Sequence, residues 1–207
     1  MNTGYNRAAP LAQPVNSAFM VTQERPGFIW LGNHPAPDLC NTTPVIGGVE
    51  IDLLDDAASI EAWAREAGLS SASAGRSSTQ RDRATDFVRR LRTALRAALE
   101  AQQLTPALVT GINEALDGVR GSLVLAPDAT DPVAMRAPAD PDQLCIDLAA
   151  AVLDIFRYDR ARVRRCANPR CVLLFLDVSK SGLRRWCDMA TCGNRAKVSA
   201  HHARRRR

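Results

Sequence analysis

The 207-residue sequence is poor in aromatic residues, at 5%, so its 46% of hydrophobic side chains are mostly leucine, valine, isoleucine and alanine. A core of aliphatic packing follows, large enough for one medium domain or a domain with a small appendage. No apolar run approaches the roughly 20 residues needed to cross a bilayer. The first 25 residues offer Asn6, Pro10, Gln13, Pro14 and Asn16, without the apolar stretch that a signal peptide requires. A cytoplasmic protein with reduced thiols and no membrane contact is therefore expected. Signatures of catalysis are missing as well. There is no His-Glu-x-x-His, no Gly-rich phosphate loop and no Gly-x-Ser-x-Gly elbow. His34, the only histidine outside the tail, sits between Asn33 and Pro35 in a loop near Asp38 and Asn41. It reads as incidental or as lining a pocket, and no enzyme is expected. Internal repeats and heptads are absent too.

What is present is concentrated at one end. The formal net charge is only +5, from 27 Lys and Arg against 22 Asp and Glu. Residues 157–207 hold 15 of the basic side chains and three acids, Asp159, Asp177 and Asp188. The rest of the chain keeps 12 basic and 19 acidic side chains, a net of −7. A positive end on an acidic body points to an anionic polymer as partner. A solubilising tail is the plainer explanation, and Arg204, Arg205, Arg206 and Arg207 alone do not exclude it.

Read along its length, the chain opens with an arm over 1–25 expected to be disordered. Phe28-Ile29-Trp30-Leu31, bounded by Gly27 and Gly32, reads as a short strand, and Asp38 to Thr42 as the start of a second element. Gly47-Gly48 marks a turn before Val49 to Leu54, extended or a lead-in to a helix. Helical spacing covers Asp56 to Ala67, with Gly68 as the stop. After the small polar run Ser70 to Thr79, a long helix extends from about Thr79 to Gln103. Phe87, Val88, Leu91, Ala94, Leu95, Ala98 and Leu99 form its apolar stripe, and Arg89, Arg90, Arg92 and Arg96 are expected to face away, as a solvated side or, less commonly, a phosphate-binding face. Thr105-Pro106 starts a short helix ending near Gly118. Leu123 to Leu125 and Val133 to Met135 are candidate strands around a turn with Pro127, Asp128 and Asp131. Asp140-Pro141 caps a helix expected to continue to about Arg164.

Four cysteines carry the sharpest signal. Cys166-x4-Cys171 and Cys187-x4-Cys192 stand fifteen residues apart, two short loops each offering two sulfurs. A tetrahedral zinc ion takes four thiolates in this way, ahead of iron. Reducing conditions oppose disulfides, and the Arg, Asn and Asp neighbours oppose simple burial. Four thiolates leave no open coordination position, so the metal is structural rather than catalytic. Val172 to Leu176, the turn Ser179 to Gly182 and Leu183 to Trp186 read as a hairpin with one pair at its open end, leading into the other. With so little apolar sequence, such a module needs the metal to fold. Cys40 and Cys145 lie in apolar surroundings and read as core residues.

A last helix begins around Gly193-Asn194, with Asn194 as a candidate cap. Arg195, Ser199 and His202 share one face, and Lys197, His201 and Arg204 the next. A cationic helix braced by a metal site suits a groove or a phosphate run. The candidate nucleic-acid contacts are Arg184, Arg195, Lys197, His202 and Arg204 to Arg207.

Cys166-x4-Cys171, Phe175-x-Asp177-x-Ser179, Arg184-Arg185-Trp186-Cys187 and Cys192-Gly193-Asn194-Arg195-Ala196-Lys197 together resemble the CGNR zinc-finger family over about the last 45 residues. The preceding chain is similar in layout to the ABATE domain, through Asp38-Leu39-Cys40-Asn41-Thr42 and the helix leading into Cys166. The resemblance implies zinc at the four cysteines and a stress-induced transcription regulator that binds DNA. Trp186 is expected to shield the metal, Asp177 and Ser179 to hold the hairpin turn, and Arg185 or Arg195 to pair with Asp177. Gly193 is expected where the backbone must approach closely. The expected fold is α+β: a predominantly helical N-terminal domain with a few short strands over 26–160, then a small zinc-bound β-hairpin plus C-terminal helix over 161–207. The helical domain would sense a small-molecule ligand or mediate homodimerisation. The alternative is a structural zinc module for protein–protein contact, attached to a small-molecule-binding domain.

Overall fold

The computed structural model describes residues 27–69, 77–117, 122–124, 134–136 and 143–205. The arm over 1–25, most of the polar run 70–79, the turn between the two candidate strands, the cap at 140–141 and Arg206 and Arg207 lie outside those residues. The described chain is α+β as expected, with a helical body followed by a cysteine-bearing hairpin and a terminal helix.

Local chemistry starts and stops the helices. The short α1 (Pro35–Cys40) has Pro35 in its first turn, and His34 Nδ1 accepts from the Ala36 N–H. A two-stranded ladder, β1 (Val45–Ile46) with β2 (Val49–Glu50), follows. Asp56 and Ser59 form a reciprocal capping box at the head of α2 (Ala57–Glu66). Ser77 and Gln80 do the same for α3 (Ser78–Ala101), which therefore starts inside the expected polar loop. Helix α3 ends on Gln102 at φ 55°, a left-handed position usually given to glycine. Gln102 Nε2 offsets that cost by donating to the carbonyls of Leu99 and Val163. Thr105 Oγ1 accepts from the Leu108 N–H at the start of α4 (Pro106–Asp117). The candidate strands are paired antiparallel as β3 (Ser122–Val124) and β4 (Ala134–Arg136).

Packing centres on α3. Its stripe of Phe87, Val88, Leu91, Leu95, Ala98 and Leu99 is buried against α1, α2, α4 and α5 (Gln143–Asp154). Each such side chain contributes about 1.5–3 kcal/mol by leaving water. Cys40 and Cys145 are both in this core. Phe28 to Leu31 belongs to no strand ladder, in contrast to the expected strand.

Two expectations require correction. The arginines of α3 do not all face away. Arg92 is only 7% exposed, forms a two-pronged pair with Asp52 at 2.7 Å and donates to Thr42 Oγ1. Arg89 donates to the Leu54 carbonyl and Arg96 to those of Cys40 and Val172. Arg90 alone of the four is exposed. The second correction concerns the helix expected to reach Arg164. Helix α5 ends at Asp154, passes through a π-turn (Ile155–Asp159) and a 3-10 turn (Arg160–Arg162), and becomes strand β5 (Val163–Arg165).

Strand β5 pairs antiparallel with β6 (Leu174–Leu176), Val163 opposite Leu176 and Arg165 opposite Leu174. The hairpin is therefore formed by these two strands, not by 172–176 with 183–186. The first cysteine pair consequently lies in its connecting loop rather than at its open end. The side-chain alternation of a strand then divides the protein. Leu174 and Leu176 enter the helical core with Val163, while Leu173 and Phe175 enter a second cluster with Ile29 and three of the cysteines.

Candidate metal centre and the helix it carries

The Cys166–Cys171 loop is shaped before any ion is considered. Its ends are joined by the Cys166 N–H donating to the Leu173 carbonyl, and its turn by the Cys171 N–H donating to Asn168. The body grips both flanks. Asn41, fully buried, accepts from the Leu174 N–H through Oδ1 and donates to the Leu174 carbonyl through Nδ2, each at 2.9 Å. Arg96 holds the Val172 carbonyl, Asn33 that of Leu176, and the Leu176 N–H donates to the Gly32 carbonyl. The Asp38 to Thr42 segment thus serves as the joint between α1 and β6. Asp38 accepts from the Gly32 N–H at 2.6 Å, and burial pushes its carboxyl up to about 7 against the pull of hydrogen bonds from Gly32, Asn41 and His34. His34 Nε2 stands 3.5 Å from Asp154.

Asp177 organises the next stretch. Its carboxylate is wholly buried and accepts from the Ser179 N–H, the Ser179 hydroxyl and the Arg184 N–H at 2.6–3.0 Å. Burial works to raise its pKa, but these donors prevail and hold it below the ordinary carboxylate value. Its arginine neighbour is Arg164, at 3.6 Å, rather than Arg185 or Arg195. The chain turns through Gly182 and returns beside the loop, where the Ala167 N–H donates to the Arg185 carbonyl.

All four sulfurs, Cys166, Cys171, Cys187 and Cys192, lie within 4.8 Å of one another. Cys171 to Cys187 and Cys187 to Cys192 are each 3.8 Å apart. A tetrahedron with metal–sulfur bonds of about 2.3 Å, the length zinc takes, has edges of about 3.8 Å, so the donor set fits. The thiols cannot all ionise this close together without a cation. Cys187 is pushed up by its hydrogen bond to Cys171, by burial and by neighbouring thiolates, and Cys166 is raised chiefly by burial. Cys171, accepting from Cys187, is pulled down to about 5. The Cys187 N–H and the Asn168 amide donate to the Cys166 and Cys192 sulfurs. The four cysteines therefore form a metal-binding cluster, three of them buried. Trp186 packs against it, as expected of a shield.

From Cys187 the chain enters a π-turn (Met189–Gly193) and then α6 (Asn194–Arg205). The cap is Asp188, which accepts from the Ala190 and Thr191 N–H groups. Asn194, considered for that part, instead donates back to the Ala190 carbonyl. A Cβ on Gly193 would stand 2.4 Å from Met189 Sδ and 3.3 Å from Trp186 Cδ1, which is the close approach anticipated there. Helix α6 packs chiefly on the turn before it and on no other element to a similar extent.

The candidate contact residues separate into groups. Arg195, Lys197, His202, Arg204 and Arg205 are exposed on α6, and Arg206 and Arg207 fall outside the described residues. Arg184 is half-buried and its guanidinium is turned inward. Its guanidinium lies 4.8 Å from the Phe175 ring centre and donates to the Trp186 and Cys187 carbonyls. It clamps the second cysteine pair in place.

Family models match the chain in two blocks. Residues 33–159 match ABATE, described as "Putative stress-induced transcription regulator", and residues 162–205 match the CGNR zinc finger. No curated protein matches the chain.

Proposed function

This chain belongs to the ABATE family and carries a CGNR zinc finger, and from that premise we propose that it is a cytoplasmic DNA-binding transcription regulator rather than an enzyme. Its four cysteines bind Zn²⁺ as a structural ion. The observation that carries this reading is α6, a helix with exposed Arg195, Lys197, His201, His202, Arg204 and Arg205, projecting from the cluster with little else to pack on. Phosphates attract such a helix by releasing condensed cations, and Arg195, Ser199 and His202 share the face that would meet base edges. One finger reads few bases, so two copies are expected to pair for useful specificity, or the helical body to change state with a bound ligand. No described helix is long and apolar enough to cross a membrane.

The test is a titration of zinc-loaded protein against labelled duplex DNA across a salt series, beside a chain ending at Gly193. Binding that steepens with falling salt and is lost with α6 supports the reading. Full zinc occupancy with no binding at low salt overturns it.

A second reading has an observation of its own. Leu183, Met189 and Val198 on the same module are exposed, which suits a protein partner. Capture of a partner that survives nuclease treatment, by a chain that fails to bind DNA, would favour it.

A further inference from the structure

The metal cluster collects arginines as well as sulfurs. Arg165 precedes Cys166, Arg170 precedes Cys171, Arg185 stands two before Cys187, and Arg195 follows Cys192 by three. Because the sulfurs lie within 4.8 Å of each other, the Cα atoms of Arg165, Arg170 and Arg185 emerge within roughly 20 Å of one another, at no more than 3.8 Å of chain per residue. That span is about six nucleotides of one strand at 3.4 Å each.

Local structure turns these side chains outward. Along β5, Arg164 reaches inward to the Gly182 carbonyl and Asp177, while Arg165, on the opposite face, is 58% exposed. Arg170 sits on the exposed turn made by Asn168, whose side chain ties that turn to the Cys192 sulfur. Arg185 spreads over Trp186, 5.2 Å from the ring centre, and is exposed.

We infer that Arg165, Arg170 and Arg185 form a second phosphate-contacting surface, a collar around the metal knuckle that continues the cationic face of α6 onto the backbone of duplex DNA. The inference rests on the DNA-binding reading above. The plainer role for these residues is to offset the charge of the cluster, since four thiolates on one Zn²⁺ leave −2. With Arg195 they exceed that by two. Among the described residues, the sulfurs also take their hydrogen bonds from the Cys187 N–H and Asn168, not from these arginines. Among the described residues, the collar's ion pair is that of Arg165 with Glu100, at 4.0 Å and exposed, too weak to hold Arg165 from a phosphate. Phosphate contacts of this kind fix orientation without reading sequence, which suits a finger whose base-reading face is short.

The experiment uses full-length, zinc-loaded protein and random-sequence duplex DNA over a salt series. The triple variant Arg165→Ala/Arg170→Ala/Arg185→Ala is set against the charge-matched body variant Arg65→Ala/Arg81→Ala/Arg83→Ala. The collar variant should lower the slope of log K on log salt by about 0.9 for each phosphate lost, two to three in all, with zinc content unchanged. The body variant should leave the slope as it was. If the triple variant loses zinc, Arg170→Ala alone should lower the slope by about 0.9, and the triple lysine variant should keep the wild-type slope. Wild-type binding with an unaltered slope in the zinc-loaded collar variants overturns the collar and leaves α6 as the contact. No wild-type binding at all overturns the DNA reading, and the collar with it.

Discussion

The helical body and the cysteine module meet on the two faces of one strand, yet they are held together by different means. On one face, Leu174 and Leu176 join a cluster that runs through α1 to α5 and includes Trp63, Phe87, Leu95 and Leu148. On the other, Phe175 and Leu173 share a small cluster with Ile29 and cysteines, and beyond Cys187 the chain has scarcely any apolar contact to rely on. The body has a large apolar core of its own, whereas, among the described residues, the segment after Cys187 is tied back chiefly through its sulfur in the cluster and the Asn168 amide. A protein built this way can lose the order of α6 without losing its core.

The largest expected effect comes from removing a sulfur. Cys187→Ser should abolish stoichiometric zinc binding, since a structural site of this type is worth about 10–16 kcal/mol in zinc-finger peptides. The proposed DNA binding should go with it. The body should survive with its thermal midpoint lowered by roughly 5–10 °C, because Phe175 and Leu173 become partly uncovered. Metal analysis and a thermal melt check both halves.

Asn41→Ala attacks the joint instead. It leaves the buried N–H and carbonyl of Leu174 without partners and should cost about 2–4 kcal/mol. Denaturant unfolding measures it. Zinc should still bind, so stability falls without the loss of metal that Cys187→Ser produces.

Much of this arrangement was legible from residue order, and the failures have common causes. The ligand set followed from spacing, because a zinc loop needs its two sulfurs close along the chain. Periodicity does not reveal the inward turn of Arg92 and Arg96, because their partners, Asp52 and the Val172 carbonyl, are far away in sequence and the pattern reflects only the helix to which an arginine belongs. The β5 strand was hidden because Val163-Arg164-Arg165 continues from α5 without glycine or proline, and its strand identity comes from pairing with Leu174 to Leu176. Asp188 displaced Asn194 as cap because a π-turn preceding α6 moved the start of the helical path back by one turn. The resemblance to ABATE rests on Asp38 to Thr42 and the helix leading into Cys166, and the structure supplies a physical reason for the first: Asn41 ties α1 to β6.

A smaller effect sharpens the contrast through pH. Asp38 belongs to the body side of the joint, and burial raises its carboxyl from 3.8 to about 7. A folded pKa above the unfolded one means that the fold prefers the protonated acid. Stability should therefore be full below about pH 4, decline as pH rises towards 7, and stay lower above it. Asp38→Asn, which keeps an oxygen for the Gly32 N–H, should flatten that dependence in urea melts from about pH 3.5 to about pH 7.5. The smallest effect is expected of Gly193→Ala. Its new Cβ collides mainly with the end of the flexible, exposed Met189 side chain, so it should cost about 1 kcal/mol or less and leave zinc in place.

The division between the two regions is tested most directly by amide hydrogen exchange on the whole chain, zinc-loaded and after chelation. With metal, both α3 and α6 should be protected, α6 the less. After chelation, residues 187–205 should exchange freely while α3 and α5 keep their protection. Loss of protection in α3 together with α6 would show that the body needs the metal too, and persistence of α6 without metal would show that something other than the cluster holds it. Either result would contradict the account.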